Sequence, residues 1–216
     1  MKKIASPLFQ DLSEAELDTL AAAGHLRTRQ FAKHEVIFRA GSCVRETGIV
    51  LRGSVHIENL DLWGTKSILS SVGAGQAFAE TYAFCGEALM VDAVAAEHCE
   101  ILFLHTAAFT DARIEPALQD KLLRRLLAVS MRKNLSLSQR IFCTTPKTVR
   151  GRLLTYFSAQ AARCGRMAFE VPFNRQQMAD YLNLDRSALS KELCKMRDEG
   201  LLEFDKNRFV LKQLPE

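Results

Sequence analysis

Arg186, Ser187, Ser190 and Lys191 are spaced so that on a helix they share one face, and all four are basic or hydroxylic. Side chains of this kind suit phosphates and the hydrogen-bonding edges of bases, so the chemistry on offer is recognition of double-stranded DNA. Two more cations, Lys206 within the polar turn Asp205-Lys206-Asn207 and Arg208 just after it, would meet a phosphate backbone from there.

The elements that must hold these residues are legible around them. The stretch 174–193 reads as two short helices joined by a tight turn. Asn174 can cap the first, because its side-chain oxygen accepts a free N–H at the helix start. Met178, Tyr181 and Leu182 give that helix one buried face, and Ala179 is small where two steeply crossed helices approach. Asn183 tolerates the left-handed backbone of the turn. Asp185 then caps a second helix, with Ala188, Leu189, Leu193 and Met196 on its buried side and Gly200 at its end. Residues 201–204 and 208–211 follow as short strands, which makes the whole a winged helix.

Charge points the same way. The segment 143–216 holds thirteen Lys and Arg against nine Asp and Glu, a net of +4. The whole chain is also +4, so residues 1–142 are neutral and the excess lies with the recognition helix. At 216 residues and 48% apolar, the chain has room for two modest domains. No apolar run approaches the ~20 residues needed to span a bilayer. Met1-Lys2-Lys3-Ile4 is basic without the apolar stretch of a signal peptide. The six cysteines form no C-x-x-C, so reduced thiols in a cytoplasmic protein are expected.

Residues 1–30 read as helical, with a capping box of Ser13 and Glu16 before Leu17, Leu20 and Ala21, and Gly24 closing that helix. From 31 to 106, short apolar runs alternate with glycines about every ten residues, the pattern of a small antiparallel barrel or sandwich. Asp61-Leu62-Trp63-Gly64 fits a hairpin tip. A long helix is expected over 116–142 with two apolar stripes: Leu118, Leu122, Leu126 and Val129, then Leu123, Leu127, Leu137 and Ile141. One stripe serves the barrel and the other a second copy of the helix, which predicts a homodimer; the residues put forward for the dimer helix are Leu118, Leu122, Leu126 and Val129. Thr145 and Pro146 are expected to restart the chain as a helix stopped by Gly165, followed by a strand through Met167, Phe169 and Val171.

This order of elements resembles the CRP/FNR family of bacterial transcription regulators over nearly the whole chain. The motifs that carry the resemblance are Leu51-Arg52-Gly53-Ser54-Val55, Gly64, Gly75-Gln76-Ala77-Phe78-Ala79-Glu80, Arg175-Gln176-Gln177-Met178-Ala179 and the run from Asp185 to Leu193. The implied fold is α+β: an antiparallel, jelly-roll-like β-roll with N-terminal helices (1–115), a long central dimerisation helix (116–142) and a C-terminal winged helix-turn-helix (143–216). The resemblance implies that Arg186 reads a base edge, most simply guanine through its two-pronged guanidinium. Ser187 and Lys191 then lie beside it in the major groove, while Arg175 and Ser190, with Gln176 in the same signature, help to hold the DNA. The implied partners are a palindromic operator, a second copy, an unidentified small effector and, for an activator, RNA polymerase.

The departures concern the effector. Members that bind cyclic AMP carry Gly-Glu and, about ten residues on, an arginine for the cyclic phosphate. Here the pair is Ala79-Glu80 and the later segment is Leu89-Met90-Val91-Asp92-Ala93. A buried phosphate with no cation would carry a large desolvation cost, so cyclic AMP is not expected, and Glu80 is left as an effector-site residue for another ligand. Iron–sulfur members use an N-terminal cysteine cluster, and residues 1–30 hold no cysteine. His56, His98 and His105 could offer a haem ligand, but a lone histidine is more often structural, and haem is not expected. The competing readings are a cyclic-nucleotide-like or haem-binding sensory module that acts on a protein partner, and a cupin-type enzyme. The second has only His56-Ile57-Glu58 toward a metal site. No enzymatic activity is expected.

Overall fold

A computed structural model of the chain describes residues 4–60 and 66–212, and it divides into two compact units between Arg132 and Lys133. The hairpin tip expected at 61–64, Gly64 included, lies outside the described residues. No described helix is long and apolar enough to cross a membrane.

In the first unit a short 3-10 turn (Pro7–Phe9) leads to α1 (Glu14–Ala22), whose capping box is formed as expected: Ser13 Oγ accepts from the Glu16 N–H and the Glu16 carboxylate accepts from the Ser13 N–H. Eight strands follow: β1 (Leu26–Phe31), β2 (Val36–Phe38), β3 (Glu46–Arg52), β4 (Val55–Leu60), β5 (Lys66–Val72), β6 (Ala77–Phe78), then, after the short helix α2 (Glu80–Cys85), β7 (Asp92–Ala95) and β8 (Cys99–His105). They form two antiparallel four-stranded sheets, ordered β1-β8-β3-β6 and β2-β7-β4-β5. Phe31, Val50, Val55, Phe78, Ile101 and Phe103 fill one core of this roll. Gly48 is required there, because a Cβ at that position would stand 2.3 Å from the Phe78 ring.

The expectation that residues 1–30 are helical fails from Leu26 onward. β1 has apolar side chains only at its ends, so it shows no alternation to betray a strand. Pairing with β8 along its whole length makes it one, aided by the Arg27 guanidinium 4.6 Å from the centre of the Phe103 ring.

Helix α3 (Pro116–Thr144) is the long helix. Of its two stripes, Leu118, Leu122 and Leu126 are buried within the first unit, against Leu17, Leu20, Ile49 and Leu104. The stripe put forward for the dimer therefore already has its partner inside the chain, and Val129 beyond it is half-buried. The unpartnered apolar residues are Leu123, Leu127, Met131, Leu135, Leu137, Ile141 and Phe142, each 47% exposed or more.

The second unit adds α4 (Val149–Cys164), β9 (Ala168–Glu170), α5 (Arg175–Leu182), α6 (Arg186–Asp198), β10 (Leu202–Asp205) and β11 (Arg208–Leu211). Its core gathers Leu153, Tyr156, Phe157, Met178, Leu189, Leu193, Met196 and Phe209. The cap of α4 is Thr148 and not Thr145. Thr145 turns its hydroxyl back to the Ile141 carbonyl at 2.8 Å and so serves the end of α3.

Candidate nucleic-acid interface

The local folding of the recognition element follows from short polar side chains acting on their own backbone. Asn174 and Gln177 form a reciprocal capping box at 2.9 Å in both directions, which starts α5. Asn183 turns the chain in the left-handed region, at φ 53°. Asp185 starts α6 by accepting the Ala188 N–H at 2.8 Å. The Ser187 hydroxyl donates to the same carboxylate at 2.5 Å. This pair of bonds, the hydroxyl first, holds the Asp185 pKa below the ordinary carboxylate value.

With Leu189, Leu193 and Met196 fully buried, α6 turns its opposite side outward. Arg186, Ser187 and Lys191 are exposed there, and Ser190 is half-buried beside them. Gln176 is exposed and donates to Asp180 at 2.8 Å. Lys206 and Arg208 are exposed at the wing, Lys206 in the left-handed region at φ 49°. Six of these seven residues are exposed, with Ser187 and Gln176 also bonded within the chain, and Ser190 is half-buried.

Arg175 is placed differently. Its guanidinium is 5.0 Å from the Phe204 ring and 5.1 Å from the Phe209 ring, and burial pushes its pKa down. Arg197, from the last turn of α6, lies 5.5 Å from Phe204. Arg175 thus fastens the first turn of α5 to the wing, a role in addition to the DNA-holding one that the resemblance implied.

Three arginines outside the expected set support the recognition helix. Arg150, in the first turn of α4, reaches Glu192 on α6 at 2.6 Å and Glu199, the residue that caps the end of α6, at 2.8 Å. Arg150 lowers the Glu199 pKa and has its own raised by the two carboxylates, Glu199 first. Arg152 and Arg140 bind backbone carbonyls at the C-terminal end of α5. Nothing in the sequence distinguishes these three from solvated charges on amphipathic helices, since their acceptors lie on other elements.

In the β-roll, Glu80 is buried at the start of α2, where Ala79 adopts the left-handed region at φ 61°. Met90 is 77% exposed, and the Asp92 carboxylate accepts the Ala40 N–H at 2.6 Å.

The cyclic nucleotide-binding domain matches residues 28–113, and the Crp-like helix-turn-helix domain matches residues 151–216. The chain belongs to the CRP/FNR family. Like the family, it is a transcription regulator with a cyclic-nucleotide-binding-type sensing domain and a DNA-binding helix-turn-helix. Among solved structures it is similar to the catabolite activator protein of Thermus thermophilus, at 25% identity over 96% of this chain and 94% of that one, with a TM-score of 0.50. FixK2 from Bradyrhizobium japonicum shares the fold at 19% identity, covering 87% and 93% of the two chains, with a TM-score of 0.52. CprK in complex with OCPA shares it at 12% identity, covering 94% and 91%, with a TM-score of 0.64. No curated protein sequence matches the chain.

Proposed function

We propose that this CRP/FNR-family regulator works as a homodimer that presents two α6 helices to a palindromic operator, under control of a small effector other than a cyclic nucleotide. The observation that carries the reading is the exposed basic and hydroxylic face of α6, held clear of the core by α5 and the wing. Lys and Arg neutralise phosphates and give affinity, while Arg186, Ser187 and Lys191 give specificity. The exposed apolar stripe on α3 from Leu123 to Phe142 supports pairing of two copies. Two recognition helices related by a dyad meet half-sites about 34 Å apart.

The effector reading rests on charge. The segment 86–95 contains no Lys or Arg and contributes Glu87 and Asp92. A cyclic phosphate would need a cation there, and the segment offers carboxylates instead, Asp92 being tied to the Ala40 N–H at 2.6 Å. Glu80, buried in the same roll, is the effector-site residue this reading retains. Activation through RNA polymerase or repression then depends on where the operator lies.

Selection from a random duplex library by the effector-free protein tests the DNA reading. The expected result is an enriched palindrome with guanine in each half-site. No enrichment with or without cell extract would leave the sensory-module reading in its place. Titration with cyclic AMP is expected to leave operator affinity unchanged; a saturable rise would overturn the charge argument.

A further inference from the structure

An α-helix ends with four backbone carbonyls that its own N–H groups cannot reach, and its partial negative charge gathers on them. At the end of α5 the last four carbonyls are those of Asp180, Tyr181, Leu182 and Asn183, and of these Asp180 O also accepts the Asn183 N–H at 3.3 Å. Arg140, on α3, donates from Nη2 to Asp180 O at 3.0 Å and from Nε to Tyr181 O at 3.1 Å. Arg152, on α4, donates from Nη1 to Leu182 O at 3.1 Å and to Asn183 O at 2.6 Å, while its Nε holds Pro146 O at 2.8 Å. Each arginine thus takes two of the four carbonyls, and the two come from different helices. Asn183 is the left-handed residue of the turn, one residue before Leu184 and two before the cap of α6.

We infer that Arg140 and Arg152 form a two-guanidinium clamp on the helix-turn-helix turn, and that Arg140 is a positioning residue for DNA reading. The inference rests on the DNA-binding reading above. Its physical basis is that the angle at which α6 leaves the turn is fixed by the backbone of residues 180–185. A planar guanidinium carries its N–H donors in a fixed geometry, so it grips two successive carbonyls with little freedom to move. A lysine at position 140 would supply the charge but a single flexible point of contact. Arg140 also lies over the Tyr181 ring, 5.9 Å from its centre, which further limits its motion. Arg152 keeps its half of the clamp when Arg140 is removed, so the winged helix stays folded while the turn loosens.

The experiment uses the full-length protein with Arg140→Met and Arg140→Lys. Two quantities are compared with the unaltered chain: amide hydrogen exchange at 180–188, and the ratio of operator to random-duplex affinity. The operator is the sequence selected by the unaltered protein. For Arg140→Met the expected result is faster exchange confined to that turn, and a roughly tenfold fall in the affinity ratio, the worth of about one good base contact. Arg140→Lys should restore part of the loss. Unchanged exchange at 180–188 overturns the clamp, and faster exchange with an unchanged ratio overturns the positioning role. Exchange that rises throughout 145–212, with a lower unfolding midpoint, would make Arg140 a folding residue and would also overturn it. If the unaltered protein selects no operator, the DNA-binding reading fails, and the exchange data still decide whether the clamp exists.

Discussion

Ser187 spends its hydroxyl hydrogen on Asp185, 2.5 Å away at the cap of the recognition helix. A hydroxyl committed in this way offers only lone pairs to anything outside. With the ionised Asp185 beside it, the start of α6 is an acceptor surface next to the Arg186 donor. The bases that present donors in the major groove are adenine and cytosine, through their amino groups. Selected operators are therefore expected to carry adenine or cytosine at the base that Ser187 faces. Ser187→Ala should flatten that preference by roughly fivefold and leave the guanine in place. Guanine or thymine at that base in the unaltered protein's sites would refute the assignment.

Arg186 carries the complementary expectation. Arg186→Ala should cost about 1–3 kcal/mol on the preferred operator and relax the choice at a single base pair. Lys206→Ala should instead weaken all sequences alike and reduce the slope of log affinity against log salt by about one. Competition binding at several salt concentrations separates the two patterns, and an operator preference that survives Arg186→Ala would exclude it as a base reader.

Tyr156 is 1% exposed, and its hydroxyl has no hydrogen-bond partner among the described residues. Burial, the largest influence on it, pushes its pKa up, so the group stays neutral. An unsatisfied buried hydroxyl costs the fold its hydration. Tyr156→Phe is expected to stabilise the winged helix by about 1 kcal/mol, read from urea unfolding at constant slope. A loss of stability would mean that the hydroxyl has a partner.

Acid should expose a weak point in the first unit. Arg113 grips the Asp111 carboxylate from its side chain at 2.6 Å and from its backbone N–H at 2.9 Å, and His25 Nε2 lies 2.7 Å from it. Arg113 first, and then its backbone N–H, hold the Asp111 pKa well below the ordinary value. Because the folded pKa is the lower one, this stabilisation is present above pH ~4 and is lost as pH falls toward the folded value. Asp111→Asn should therefore lower the unfolding midpoint at pH 7, and the gap should narrow steadily below pH 4. A gap independent of pH would show that the charge is not what matters.

Local chemistry made the recognition element legible. Asn174, Asn183 and Asp185 each act on backbone within three residues, so their types at their spacing announce caps and a turn. The same locality exposed the Ser13–Glu16 box. What sequence could not reveal is decided across distance. β1 is a strand because β8 pairs with it, and Thr148 takes the cap of α4 because Thr145 is drawn to the end of α3. The allocation of the α3 stripes was hidden for the same reason. Leu122 and Leu123 are both leucines, and only the packing against Leu17 and Leu20 says which of them is covered.

The stripe left open on α3 has a consequence for gene dosage. If two copies pair through it, the fraction paired depends on how much protein a cell contains. Below the pairing constant, the concentration of two-headed molecules grows with the square of total abundance, and a lone copy grips a single half-site. Halving production then cuts operator occupancy by about fourfold, not twofold. Leu123, Leu127, Met131, Leu135, Leu137, Ile141 and Phe142 would in this way set a threshold of expression. A polar substitution among them would then empty an operator while every residue of the recognition helix stayed intact.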